Sequence, residues 1–320
     1  MPKQKKTQSR PQPLYRVKNW SEYDKALVQR GAMTFWLSDD FEQTWLYTGE
    51  KQRGSQFDYS DQAIVIMLTL KEIFHLTNRS VEGFMRSMFE LMQLELPVPD
   101  HTTLSHRGRD LKVTLLKTPH ESLNIVMDST GLKIYGEGEW KVRQHAVSKR
   151  RTWRKLHLGL NPDDGEIQAV YLTTNSVSDD QAAEPLLAQI ESTISSFAAD
   201  GSYDKRKVYD GLNTHSPDVN ILIPPRKNAR IWQHGNTDAE RLKRDENLRA
   251  VRTQGRKAWK EASGYHVRSL AETCMFRLKT IFGAELSARL LDTQTTQALI
   301  RCRALNKMTH LGMPESYVLA

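Results

Sequence analysis

Residues 123–128, LNIVMD, decide the fold, because the hydrophobic pattern of the chain changes at this point. Before it, apolar residues recur at helical spacing, whereas short strand-like segments follow it. We predict that residues 123–127 form a buried strand that ends at Asp128. The chain is therefore expected to have a helical region over 21–116 and an α/β domain over 117–320.

Four further strands are predicted downstream, at residues 152–160, 166–174, 195–199 and 220–223. An Asp-Asp-Gly turn at 163–165 joins two of them as a hairpin. Helices are predicted over 179–191, from about residue 204, over 261–281 and over 293–311, the last one ending at Gly312. A basic insertion at about 226–260 separates the last strand from the helix at 261–281. This order predicts a mixed sheet with helices, in the α/β class.

Upstream, three helices are predicted between residues 60 and 115, with Asp61, Ser80 and Asp100 as their N-caps. The third helix presents Thr102, His106 and Arg109 opposite its apolar face. A three-helix unit with a polar, basic third helix is the outline of a helix-turn-helix DNA-binding domain. Plain structural packing of three small helices remains the alternative.

Composition favours an acidic partner. The chain of 320 residues has a net charge of +8, and nucleic acid is the commonest partner of such a basic protein. Residues 1–20 contain six Lys and Arg and no acid, which predicts a basic flexible arm, either a solubilising tail or a phosphate-binding segment.

Two cysteines, Cys274 and Cys302, exclude a disulfide framework and a four-cysteine zinc site, and favour a reducing cytoplasm. The most apolar run, residues 63–70, is far shorter than the roughly 20 residues of a membrane span. No apolar segment follows the basic N-terminus, so no secretory signal and no membrane partner are predicted.

Two acids occupy matched positions. Asp128 and Asp200 each end a predicted strand and each precede a loop that contains glycine. If the two strands are parallel neighbours, both carboxylates project into one crevice at the strand ends. A strand-terminating aspartate in a turn is the alternative for either residue.

The predicted helix at 261–281 carries Tyr265, Arg268, Glu272 and Lys279, which fall on one narrow stripe at about 100° per residue. A stripe of this composition is not a core face. It is either a solvent face with an Arg268–Glu272 ion pair or part of a functional site.

Two aspartates and a glutamate in one crevice would repel one another unless cations were present. Hard divalent cations, Mg²⁺ or Mn²⁺, prefer such oxygen ligands. Two ions about 4 Å apart would activate an attacking oxygen and stabilise a leaving one in phosphoryl transfer.

At these residues the sequence resembles bacterial insertion-sequence transposases of the DDE class, most closely the insertion-sequence-five family. The Tyr-(2)-Arg-(3)-Glu-(6)-Lys signature of that class is matched in every spacing by residues 265–279. Residues 125–131, IVMDSTG, and 199–204, ADGSYD, resemble its two aspartate motifs. The resemblance extends from about residue 15 to residue 307.

The resemblance implies an RNase H-like catalytic domain in which Asp128, Asp200 and Glu272 bind two metal ions. It implies that Tyr265, Arg268 and Lys279 contact DNA phosphates. The implied partners are double-stranded DNA, as terminal inverted repeats and target, and further copies of the chain in a synaptic homo-oligomer. The expected location is the bacterial cytoplasm, on the nucleoid.

Basic segments should extend the DNA surface. Residues 141–155 hold seven Lys and Arg and no acid, among them Arg150, Arg151 and Arg154, and residues 226–260 have a net charge of +7. DNA backbone binding explains both segments. A solvated protein surface is the alternative.

Three other functions are alternatives to a transposase. A tyrosine recombinase is disfavoured, since the only His-x-x-Arg, at 106–109, is far from Tyr317 in sequence. An RNase H-like nuclease or resolvase without strand transfer would use the same acids. A transposase-derived DNA-binding protein without activity would have no need of all three acids.

Overall fold

The first part of the chain is helical. The computed structural model describes residues 15–50, 57–134, 153–233 and 241–319. Its elements up to residue 110 are β1 (Tyr15–Val17), α1 (Trp20–Gln29), α2 (Met33–Trp36), α3 (Phe41–Thr44), α4 (Asp61–Ile73), α5 (Asn78–Leu91) and α6 (His101–Asp110).

The second part alternates strands and helices. Its elements are β2 (Ser122–Ile134), β3 (Trp153–Leu160), β4 (Ile167–Thr174), α7 (Asp179–Leu187), β5 (Thr193–Ala199), α8 (Arg206–His215), β6 (Asn220–Leu222), α9 (Lys243–Gln254), α10 (Arg256–Ala262), α11 (Ser269–Phe282), β7 (Glu285–Leu286), α12 (Leu291–Leu311) and β8 (Ser316–Val318). Short 3₁₀ turns cover Gly201–Tyr203 and Tyr265–Arg268.

The central sheet has the strand order β4-β3-β2-β5-β6. β3 is antiparallel to both of its neighbours, whereas β5 is parallel to β2 and to β6. All five predicted strands are therefore present, and the predicted mixed α/β sheet is confirmed. The prediction that the first strand ends at Asp128 is wrong, because β3 and then β7 continue to pair with β2 beyond that residue.

The two faces of the sheet have separate hydrophobic cores. Alternate residues of β2, such as Ile125 and Met127, pack with α7 and α8, whereas Val126 and Leu132 pack towards α11 and α12. This alternation is what the period of two in a strand requires. The core that contains Val126 and Leu132 continues without interruption into the helical part, where it includes Leu68 and Leu104.

The three predicted helices before residue 111 are present, but two of the predicted N-caps are wrong. The hydroxyl of Ser60, not Asp61, accepts the N–H of Ala63, and the hydroxyl of Thr77 accepts the N–H of Ser80. A cap must accept an N–H about three residues ahead, which places it one or more residues earlier than predicted. Asp100 caps α6 as predicted, by accepting the N–H of Thr103 at 2.6 Å.

The single helix predicted over 261–281 is interrupted. α10 ends at Ala262, Gly264 has a left-handed backbone with φ of +70°, and a 3₁₀ turn follows before α11 begins at Ser269. A left-handed glycine ends a helix readily because it has no Cβ to clash. Tyr265 and Arg268 therefore lie in the turn, and only Glu272 and Lys279 share a continuous helix.

The other predicted boundaries need smaller changes. α7 ends at Leu187 rather than 191, and α12 begins at Leu291 but ends before Gly312 as predicted. Part of the predicted basic arm is a strand, since Tyr15–Val17 pair with Ser316–Val318; residues 1–14 lie outside the described residues. The basic insertion at 226–260 contains α9 and most of α10.

A buried ion pair joins the helical part to α12. The Nε of Arg301 donates to Glu72 Oε2 at 2.7 Å, and the side chains are only 5% and 6% exposed. The amide of Gln297 donates to both carboxylate oxygens of Glu72, at 3.0 and 3.1 Å. A buried charge with this many partners is costly to leave without them.

We expect Glu72→Gln to lower the free energy of unfolding by about 3–5 kcal/mol, because Arg301 would remain buried without its counter-charge. Glu246→Gln is the control, since Glu246 faces Lys243 at 3.8 Å on an exposed surface and should change stability by at most about 1 kcal/mol. Denaturant unfolding of both variants measures the difference. Equal, small losses would contradict a role for the buried pair.

Candidate active site

Parallel pairing brings the two aspartates together. Met127 of β2 is paired with Ala199, the last residue of β5, so the next residues, Asp128 and Asp200, stand side by side where β5 ends. Equivalent positions on adjacent strands face the same side of a sheet. Val126 and Ala198, two residues earlier, belong to the core beneath α11 and α12. Both aspartates therefore face the side of the sheet that α11 covers.

Glu272 reaches the same place from the first turn of α11. Arg268, just before that helix, donates from Nη1 to Asp128 Oδ2 at 2.6 Å and from Nη2 to Glu272 Oε1. The Arg268–Glu272 ion pair that the spacing allowed is therefore present, but it also includes Asp128. One guanidinium holds the carboxylates of a strand and a helix together.

The carboxyl of Asp128 is difficult to ionise. Burial raises its pKa, the charges of Asp200 and Glu272 raise it further, and the N–H of Ser129 and the guanidinium of Arg268 only partly offset these effects. The side chain is 16% exposed. The site therefore favours additional positive charge near Asp128.

These residues suit a hard divalent cation. Three carboxylates lie close together where β5 ends, and they offer only oxygen atoms to a cation. The guanidinium of Arg268 already bridges two of them. Mg²⁺ and Mn²⁺ prefer carboxylate ligands supplemented by water and phosphate oxygens. Asp128, Asp200 and Glu272 are the residues that would hold the metal.

The loop that carries Asp200 is fixed by hydrogen bonds. Asp200 Oδ1 accepts the N–H of Ser202 at 2.8 Å. The guanidinium of Arg226 donates to the carbonyls of Gly201 and Ser202, both at 3.1 Å, and clamps the 3₁₀ turn. In the sequence, Arg226 is one of eleven cations of the basic insertion, and nothing distinguishes it from the others.

Asp179 is a fourth acid at the site, and the sequence analysis missed it. It is the first residue of α7, half-buried, and its carboxylate contacts Ser129, Lys155 and Ser202. Ser129 directly follows Asp128, and Ser202 lies two residues after Asp200. In the sequence, Asp179 has the signature of an acid in the first turn of a helix, which is common and carries no functional signal.

The remaining residues of the signature differ in exposure. Tyr265 is buried, with its ring 5.7 Å from that of Trp259, and burial raises its pKa to about 12. Lys279 is half-buried two turns after Glu272, and burial lowers its pKa. Within the described residues Lys279 has no carboxylate partner, so it is a cation available to a ligand.

The predicted DNA-reading residues of α6 are exposed. Thr102, His106 and Arg109 all face solvent, and the hydroxyl of Thr102 donates to Asp100 at 2.8 Å. Leu104 and Gly108 of the same helix are buried. The two faces of α6 therefore differ as predicted.

The predicted basic segment at 141–155 falls mostly outside the described residues, and Arg150 and Arg151 with it. Arg154 is described, and its Nε donates to Gln294 Oε1 on α12 at 2.8 Å. Lys155 points to the opposite face of β3, towards Asp179.

A second group of possible metal ligands consists of Asp164 and Glu166 in the β3–β4 turn and His120, which lies just before β2. Its acids already have partners. Glu166 accepts the hydroxyl and the N–H of Thr118 and lies 2.6 Å from the ring of His310, and Asp164 accepts the N–H of Glu166 and the amide of Asn161. The acids of this group are held by the hydrogen bonds of the turn and are distinct from Asp128, Asp200 and Glu272.

Comparison with known families agrees with this geometry. Two family models described as a transposase DDE domain match the sequence, one over residues 28–137 and the other over residues 119–307. The second match covers more than half of the chain and includes all three acids. The chain belongs to the DDE transposases. Domains of this family act as nucleases and transposases and use divalent metal ions.

Two solved transposase structures show a distant similarity to this chain. A piggyBac transposase synaptic complex with hairpin DNA is 9% identical, with 88% of this chain and 73% of that chain covered and a TM-score of 0.38. The Drosophila P element transposase strand transfer complex is 10% identical, with 89% and 71% covered and a TM-score of 0.31. None of the described helices has the length and apolar character of a membrane span.

We expect Arg268→Gln to raise the pKa of Asp128 further, because the guanidinium is the nearby charge that lowers it. A ¹³C NMR pH titration of the aspartate carboxyls measures this pKa directly. Arg226→Gln is the control, since that guanidinium bonds backbone carbonyls rather than Asp128. An unchanged or lower pKa in Arg268→Gln would show that the ion pair does not hold Asp128 in its ionised form.

Proposed function

We propose that this DDE transposase binds the terminal inverted repeats of an insertion sequence, cleaves DNA at their ends and joins the freed ends to target DNA. This proposal rests on the position of Asp128, Asp200 and Glu272, which lie together where β5 ends. Their family context, the basic charge of the chain and the exposed, basic α6 support it.

We further propose that the catalytic part has an RNase H-like fold. Its support is topological: the first acid lies on the first strand of the sheet, the second just after the fourth strand, and the third on a late helix.

In this proposal, Asp128, Asp200 and Glu272 would hold two Mg²⁺ or Mn²⁺ ions, and such ions would supply positive charge to the attacking and leaving oxygens. Arg268 and Lys279 hold the non-bridging phosphate oxygens by charge-assisted hydrogen bonds. Tyr265 supports the turn that carries Arg268, and its hydroxyl would contact a DNA phosphate.

Two in-line displacements complete the reaction. In cleavage, a water oxygen bonds to phosphorus while the bond from phosphorus to the 3′-oxygen breaks, which leaves a 3′-hydroxyl. In joining, that hydroxyl oxygen bonds to a phosphorus of the target while the corresponding bond in the target breaks. The number of phosphodiester bonds is conserved in the second step, and no covalent protein intermediate is required.

DNA contacts are proposed for two further regions. Thr102, His106 and Arg109 of α6 would read the repeats as the third helix of a helix-turn-helix-like domain. Arg150, Arg151 and Arg154 would contact the backbone beside the first aspartate. Two ends must meet before joining, so a homo-oligomer is the expected active form, on the nucleoid in a bacterial cytoplasm.

We expect Glu272→Gln to reduce metal-dependent cleavage of an end fragment to below about one-hundredth of the wild-type rate, since a charged ligand is lost. Binding of the same fragment should be equal or slightly tighter, because one negative charge near the phosphates is removed. Gel-shift and cleavage assays on one DNA substrate measure both quantities.

Arg109→Ala is the converse control: it should weaken binding but leave cleavage intact at saturating protein. Wild-type cleavage by Glu272→Gln would remove that residue from the site. Cleavage without joined products by the wild type would favour a nuclease or resolvase, and binding without cleavage a non-catalytic DNA-binding protein.

A further inference from the structure

We propose that Asp179 is a positioning residue that fixes the separation of Asp128 and Asp200, so that both aspartates are held ready for the metal. This inference rests on the proposed function in one respect, namely that these two aspartates bind the metal. Asp179 itself is not assigned as a metal ligand, because both of its carboxylate oxygens already accept hydrogen bonds from the protein.

The first link runs to Asp128. The hydroxyl of Ser129 donates to Asp179 Oδ1 at 2.8 Å, and the N–H of the same serine donates to Asp128 Oδ1 at 2.9 Å. Ser129 lies on β2, so its side chain points away from the face on which Asp128 lies. One residue therefore connects the two acids through the sheet.

The second link runs to Asp200. The hydroxyl of Ser202 lies 3.2 Å from Asp179 Oδ2 and is also in close contact with Asp200 Oδ1. Its single hydrogen is shared between two carboxylates, as in a three-centre hydrogen bond. The N–H of Ser202 adds a second bond to Asp200, at 2.8 Å. Asp179 is thus joined to each metal-binding aspartate through one serine.

The charge of Asp179 is balanced locally. The ammonium of Lys155 lies 3.1 Å from Asp179 Oδ1 and also donates to the carbonyl of Val177 at 3.1 Å. His157 Nδ1 is 3.6 Å away, but burial lowers the pKa of His157 to about 4, so the ring is neutral near pH 7. Lys155 therefore supplies the counter-charge, and Asp179 adds no net repulsion to the three acids.

The backbone around Asp179 is held by a helix cap and by packing against the sheet. The residue begins α7, whose N-cap is a reciprocal capping box between Ser178 and Gln181, and α7 packs against β2, β3 and the 201–203 turn. Partial burial raises the pKa of Asp179, but hydrogen bonds from Ser129 and Lys155 outweigh it and lower the pKa below its ordinary value. The carboxylate is ionised and held from several directions.

Asp180 offers a matched control. It is the next residue in the same helical turn, it carries the same charge, and it pairs with Lys207 at 3.1 Å instead of with the two serines. Replacement of either acid by alanine removes one favourable charge from the N-terminus of α7. A difference between the two variants therefore reports the contacts of Asp179 with Ser129, Ser202 and Lys155 rather than the helix.

The experiment is a Mn²⁺ titration of the full-length protein without DNA, followed by electron paramagnetic resonance of free Mn²⁺. Asp179→Ala should weaken Mn²⁺ binding by about 10–100-fold, the usual effect of losing a residue that orients a ligand. Asp180→Ala should bind within about 2-fold of wild type. Thermal unfolding of both variants shows whether they fold equally well.

A second pair of changes keeps the test decisive if Asp179→Ala folds poorly. Ser129→Ala with Ser202→Ala breaks both links but keeps the acid, and should weaken Mn²⁺ binding to a similar extent. Adding Asp179→Ala to that double variant should weaken binding little further, because residues of one network are not additive.

Asp128→Ala separates the two levels of the proposal. If Asp128→Ala weakens Mn²⁺ binding and Asp179→Ala behaves like Asp180→Ala, the positioning role is overturned while the metal site stands. If Asp128→Ala binds Mn²⁺ as well as wild type does, the metal site of the proposed function is wrong and the positioning role falls with it.

Discussion

Parallel pairing of β2 with β5 places two carboxylates side by side, and the other residues of the site offset or use their charge. Asp128 and Asp200 follow the last residues that β2 and β5 pair, and α11 brings Glu272 to the same place. Three like charges in a partly buried place repel one another. The guanidinium of Arg268 between Asp128 and Glu272 offsets part of that repulsion.

The same constraint explains why the site is suited to a metal and to a phosphate group. Carboxylates that repel one another favour divalent cations, and a site that holds such cations beside Arg268 and Lys279 would attract the phosphates of the DNA backbone. In the structure, Arg268 pairs with Asp128 and Glu272, whereas in the proposed complex it would bind a phosphate. Arg268 ends the 3₁₀ turn that precedes α11, so this change of partner would take place beside the helix and not within it.

Much of the fold could be predicted from the sequence. Short apolar runs between turn residues indicate the five strands, and the Asp-Asp-Gly turn at 163–165 indicates the hairpin. The two aspartates that follow apolar runs and the spacing from Tyr265 to Lys279 indicate where the acids lie. The structure brings all three acids together, although β2 continues past Asp128 to Ile134. Local pattern is sufficient where one face of each strand is buried.

The rest depends on contacts that no local pattern encodes. A lone glycine in a helical pattern costs only about 1 kcal/mol, so the break at Gly264 could not be distinguished from a continuous helix. Neighbouring polar residues compete as caps, which is why Ser60 and Thr77 were missed. Asp179 has the ordinary appearance of a helix-terminal acid, and only the pairing of β2 with β3 and β5 shows what it contacts.

The role of the three acids is tested by a cleavage and joining assay with the DNA that flanks the gene, in Mg²⁺ or Mn²⁺, comparing wild type with Asp128→Ala. We expect metal-dependent nicks at the repeat boundary and joined products for the wild type, with both lost in Asp128→Ala while DNA binding persists. Equal nicking by wild type and Asp128→Ala would contradict the assignment of the three acids as the centre of the reaction.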